Sequence, residues 1–165
     1  MDRAMTDKQL IFVTAAIVVW LSRTSAADIS AVQFTGTHNA LVIGVGDFKD
    51  LSLLRLRGPR VDSGRMVEAL TNAKNGLVKL ENLIVLNDAK ATKAEVLKSL
   101  GDLKSRMHKE DTLIVYFSGH SYHDELDGTL FLAMYDSTFQ DKHMEGLSIE
   151  NELYQMVMSL TAILS

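Results

Sequence analysis

Apolar residues gather in three short unbroken runs, and the stretches between them carry a helical period. Ala40-Leu-Val-Ile-Gly-Val45, Asn82-Leu-Ile-Val-Leu86 and Thr112-Leu-Ile-Val-Tyr-Phe117 show no polar alternation, which predicts strands buried on both faces. Between the first two, Gly58-Pro59 opens a helix with proline at its first position. Met66, Val67, Leu70 and Ala73 then recur on one face, and Asn75-Gly76 closes it. Between the second and third, Thr92-x-x-Glu95 is a capping box followed by the stripe Val96, Leu97, Leu100, Leu103 and Met107. Strand, helix, strand, helix, strand is the order of a parallel sheet with right-handed crossovers.

The third run predicts a strand that stops at the turn pair Ser118-Gly119, so that His120 begins the next loop. Just past the carboxyl end of a central strand is where open α/β sheets place ligands and chemistry, although a polar residue can also open a surface loop without any such role. Asp127-Gly128 marks a turn before Thr129-Leu-Phe-Leu-Ala133, a strand or half of a hairpin. Ser148 caps a last helix from Ile149 to about Met158, and the apolar residues Leu160 to Leu164 suggest a further strand. No repeat, low-complexity tract or interdomain linker interrupts this pattern.

The amino terminus stands apart. Arg3 and Lys8 precede a charge-free run from Leu10 to Leu21, and Arg23-Thr-Ser-Ala-Ala27 follows. That is the layout of a secretory signal peptide over residues 1–27, too short to span a bilayer comfortably. Asp2 and Asp7 dilute its positive end and leave an uncleaved anchor as the rival. The expected compartment is secreted or periplasmic, with no membrane attachment after cleavage. Removing two acids and three bases with residues 1–27 leaves a net charge of −5, against −4 for the whole chain. A mildly acidic domain without a Lys/Arg cluster offers no footprint for nucleic acid. There is no cysteine, so disulfides are excluded and the fold must rest on its core.

Several chemical motifs fail on inspection. Gly44-Val-Gly46 lacks the third glycine of a dinucleotide loop, since Lys49 stands there and no helix opens. Ser118 lacks both glycines of a nucleophile elbow, having Tyr116 and His120 in their places. His120 and His123 with either Asp124 or His143 make a zinc site conceivable, though the metalloprotease glutamate is missing. General base chemistry at His120 remains, because an imidazole with a pKa near 6.5 takes and returns protons at neutral pH. A nucleophile is not evident in the motifs around it.

From Asn39 to about Met158 the chain resembles the caspase-like cysteine peptidases, most closely their bacterial metacaspase branch. The resemblance lies in Ala40–Val45, Leu56-Arg-Gly-Pro-Arg-Val-Asp-Ser63, Asp88-x-x-Ala-Thr92, Asp111-Thr-Leu-Ile-Val-Tyr-Phe-Ser-Gly-His120 and Asp127-Gly-x-Leu-Phe-Leu132, in family order and spacing. It implies a three-layer α/β caspase-like domain over residues 39–165, with a mainly parallel sheet and helices on both faces. It implies His120 as the catalytic histidine, serving a cysteine thiolate that attacks the scissile carbonyl. The residue after the histidine, Ser121 here and normally glycine, would give its backbone N–H to the oxyanion. If that position needs a positive φ, its Cβ is strained. Asp62 and Ser118 match the residues that read a basic P1 side chain. Asp62 reads equally well as a first-turn acid complementing a helix dipole. Arg57 and Arg60 lie close by, although neither falls on the position where caspases read aspartate with arginine.

The family's Asp-Ala-Cys-x-Gly segment has no counterpart before Ser165. A domain incomplete at its carboxyl end and a pseudo-peptidase that binds without cutting both fit this reading. Peptide or protein is the expected partner, and an open sheet edge at Leu160–Leu164 would favour self-association. Calcium enters only through the metacaspase resemblance, with no site assigned; no other cofactor is expected.

Overall fold

The computed structural model describes residues 12–19, 36–108, 110–124, 127–140 and 143–157. Its elements in chain order are β1 (Phe12–Val19), β2 (His38–Gly44), α1 (Pro59–Thr71), β3 (Leu83–Asn87), α2 (Lys93–Arg106), β4 (Thr112–His123), β5 (Leu130–Leu132), β6 (Thr138–Gln140), β7 (His143–Glu145) and β8 (Leu147–Ser148). A π-helical turn, Ile149–Leu153, follows. The main sheet runs β3-β2-β4-β5-β8, with β1 also paired to β4, and β6–β7 form a separate hairpin. β2 is parallel to both β3 and β4. The β1, β5 and β8 pairings are antiparallel, so the sheet is mixed and the expected parallel character holds only for β3-β2-β4.

Both faces of β2 and β4 are buried, as their apolar runs require. Leu41, Ile43, Val115 and Phe117 pack with Val96, Leu100 and Leu103 of α2. Ala40, Val42 and Tyr116 pack with Leu70 of α1, and Met66 and Val67 close over them. Alternate residues of a strand leave from opposite faces, so the two helices cover opposite sides of the sheet. Thr92 caps α2 by accepting from the Glu95 N–H at 3.2 Å. α1 ends at Thr71, one turn short of expectation, and Ala73 is exposed in the turn beyond it. The last turn of α1 carries no basic residue to complement the helix dipole.

Two strand ends also differ. β4 does not stop at Ser118-Gly119 but runs on to His123. Its parallel partner β2 departs at Gly44, opposite Ser118, and β5 takes over, with Ala133 N–H donating to the His120 carbonyl at 2.9 Å. With β1 paired to Ser118, Gly119 and His120 on the other side, the backbone keeps a ladder partner through residues that would otherwise turn. At the amino end, residues 12–19 of the apolar run pair with β4, Phe12 opposite His120 and Val19 opposite Leu113. Among the described residues no helix is long and apolar enough to cross a membrane. The strand expected at Leu160–Leu164 and the helix end at Met158 lie outside the described residues.

Candidate active site

Three predicted residues converge at the carboxyl ends of β2 and β4. Ser118 and His120 are two apart on β4 and share a face, and both are buried. Asp62 comes from the first turn of α1 and accepts a hydrogen bond from the Ser118 hydroxyl at 3.1 Å. Tyr116, two residues before Ser118, joins the group through a hydrogen bond with the Ser118 side chain. Burial raises the Tyr116 pKa and the Asp62 charge raises it further, with the Ser118 bond opposing both.

His120 has no exposed surface. Its ring stacks on Phe48, centroids 5.3 Å apart, and Nε2 lies 2.7 Å from the Leu54 carbonyl oxygen. A carbonyl can only accept, so Nε2 carries the proton and Nδ1 is the basic nitrogen of the neutral ring. Burial lowers the His120 pKa, and the Leu54 hydrogen bond offsets part of that. The side chain is thus an oriented, neutral base at physiological pH.

Sequence reasoning missed the groups that hold it. Phe48 and Leu54 sit in the β2–α1 loop, pinned by Leu53 packing near Ala133 and by Asp50, which accepts from the Ser52 and Phe139 N–H groups. Those two bonds lower the Asp50 pKa, the Phe139 bond most. A main-chain acceptor leaves no mark in a sequence, so Leu54 had no signal to find. Leu56 N–H continues the docking by donating to the Gly46 carbonyl at 2.8 Å.

Ser121 follows His120 on β4 and is buried. The expected strain is absent: among the described residues Asp88 is the one non-glycine with positive φ, at 47°. The carbonyls of Ser118 and His120 both point toward the β2/β5 side, accepting from Val45 and Ala133. Backbone alternation then turns the Ser121 N–H to the opposite, β1, side of the strand. Asp88 earns its left-handed conformation by bringing Oδ1 to the Gly46 N–H (2.9 Å) and the Asp47 N–H (3.1 Å), which fastens the loop at the mouth of the site.

The zinc arrangement does not form. His120 and His123 are three residues apart on one strand and leave from opposite faces; His123 is exposed and His120 buried. Among the described residues no three His, Cys, Asp or Glu side chains come together to hold a metal. The His143 side chain lies outside them.

A family of peptidases described as the caspase domain matches residues 37–157. No curated protein matches the chain.

Proposed function

Since the chain belongs to the caspase domain family of peptidases, we propose that it recognises peptides by a basic side chain held at Asp62 and Ser118, beside a histidine set for cysteine-type endopeptidase chemistry after Arg or Lys. The observation that carries this reading is the hydrogen bond from Ser118 to Asp62 on the same strand face as His120. A carboxylate fixed by a neighbouring hydroxyl binds guanidinium or ammonium and repels acidic side chains. In the chemistry of the site, His120 Nδ1 takes the proton from a thiol and later passes it to the leaving amine, while Leu54 holds Nε2–H in place. The Ser121 N–H, directed away from β5, serves the oxyanion. The three-layer arrangement, with α1 and α2 flanking the sheet, belongs to the same reading, as does a secreted or periplasmic location read from residues 1–27.

The thiol itself is missing from these 165 residues. A second reading of the same site is a caspase-like module that binds peptide without cutting it. The two agree on what this chain does alone: removing the nucleophile of a catalytic unit leaves only positioning and oxyanion binding. The purified chain should leave Arg- and Lys-ending fluorogenic peptides uncut, as a His120→Ala variant does. It should bind an arginine peptide, and Asp62→Asn should weaken that binding about tenfold, the worth of one charge-assisted hydrogen bond. Turnover abolished by H120A would reveal a different nucleophile, and Asp62-independent binding would remove the basic-side-chain reading.

A further inference from the structure

The β2–α1 loop and the first turn of α1 each touch the site face of β4. Leu54 gives its carbonyl to His120, and Asp62 takes the Ser118 hydroxyl two residues away. Between these contacts the segment Arg55–Pro59 leaves the strand and rims a cleft of about 500 Å³, lined by Asp47, Arg55, Arg57, Arg60 and Asp88. The bond from Leu56 N–H to the Gly46 carbonyl fixes the segment beside the end of β2, and Arg55 and Arg57 line the cleft from it. Three guanidinium groups therefore meet two carboxylates in a chain whose net charge is −4.

The carboxylates are already engaged. Asp47 is ion-paired with Arg55, and Asp88 is turned onto two backbone N–H groups. Arg57 and Arg60 have no ion pair or hydrogen bond from their side chains among the described residues, and both are exposed at the rim. Gly58, which lies between the two arginines in the chain, also adjoins the acid: a Cβ built on it would lie 3.3 Å from Asp62 Oδ2. A basic cleft and an acidic pocket thus share one short segment.

We propose that the Arg57/Arg60 cleft takes the carboxylate of an acidic residue in the bound peptide, close in sequence to the basic residue held at Asp62. Resting on the reading of Asp62 and Ser118 above, this narrows the ligand to peptides of mixed charge. A planar guanidinium recognises a carboxylate through two parallel hydrogen bonds, so aspartate or glutamate fits these side chains better than a neutral residue.

Fluorescence anisotropy on the full chain tests it, using labelled hexapeptides with one arginine and one glutamate, the glutamate stepped to either side of the arginine. At the matching position, Glu→Gln in the peptide should weaken binding about tenfold, one charge-assisted contact. The same change should cost less than about twofold in the Arg57→Gln/Arg60→Gln variant, because the coupling is then gone. In Asp62→Asn the glutamate effect should persist on a weaker background. A glutamate effect missing at every position, while Asp62 still reads the peptide arginine, overturns the cleft and leaves the basic pocket standing. A glutamate effect tied to Arg57 and Arg60, with the peptide arginine dispensable, keeps the cleft and removes the basic pocket. Binding that ignores both charges overturns both.

Discussion

His120 is fully buried, and its surroundings make a neutral imidazole the stable form. The folded chain holds this pKa below the ordinary 6.5, chiefly through burial. Below pH 6.5 the unfolded chain takes up a proton that the folded chain resists, so stability is present above 6.5 and falls as pH drops toward the folded value. Urea unfolding between about pH 8 and pH 5 should show this decline, and His120→Gln should flatten it. Gln keeps an N–H donor for Leu54 but cannot titrate. Parallel curves for the two proteins would show that His120 is not the linked group. The histidine itself was legible, from its position after a buried run. Its tautomer was not, because that depends on a carbonyl 66 positions away in the chain. Asp62 was legible only as a choice between a dipole acid and a ligand, and its hydrogen bond from Ser118, 56 positions away, has no local signature.

Between elements, close approach decides more than propensity. A Cβ at Gly44, the last residue of β2, would meet the Pro59 carbonyl and Asn87 Oδ1, each at 2.6 Å, and Ser63 Oγ at 2.9 Å. Ser63 is buried and donates toward Asn87 at 2.7 Å, so none of these neighbours is free to give way. Gly44→Ala should cost about 1–3 kcal/mol by forcing α1 from the sheet. Gly101, inside α2, has nothing within 4 Å of its Cβ position, so Gly101→Ala should stabilise by about 0.5–1 kcal/mol. Thermal or urea midpoints moving the same way for both would defeat the packing argument. Asp111 makes a third case, tying the lead into β2 to the end of α2 by accepting from the Thr37 N–H (2.7 Å) and the His108 N–H (2.8 Å). Asp111→Ala leaves both without their partner and should cost about 1–3 kcal/mol, read from urea midpoints; a neutral effect would mean water replaces the carboxylate. The apolar runs and the Thr92 cap were readable because strand burial and capping are local. The run of β4 through Ser118-Gly119 was not, because it rests on β1 alongside Ser118–His120 and β5 from Ser121 onward, both distant in the chain.

For the whole molecule, the edge of β4 is the feature on which assembly turns. Even-numbered residues of β4 face β2 and then β5, as the Thr112, Ser118 and His120 hydrogen bonds show. The amides of Leu113, Val115, Phe117 and Gly119 therefore point to the side where β1 lies, in the register Val19–Leu113 to Val13–Gly119. Composition suggested residues 10–21 as the apolar run of an expected signal peptide, while a pairing this distant in sequence has no local signature, so the sequence offered no view of β1 as a strand. If residues 1–27 are removed, β1 goes with them, and Leu113, Val115, Phe117 and Gly119 of a buried strand lose their backbone partner. A strand edge left open in this way is a template for another chain. Hydrogen exchange should therefore be slow at Leu113, Val115, Phe117 and Gly119 in the full chain. It should be markedly faster there in residues 28–165, with Ile114 and Tyr116 nearly unchanged because β2 still holds them. Light scattering on the shortened chain should show dimers or larger species that grow with concentration. Equal protection of the odd-numbered amides in both proteins, with a monomer at every concentration, would mean that something other than β1 covers this edge.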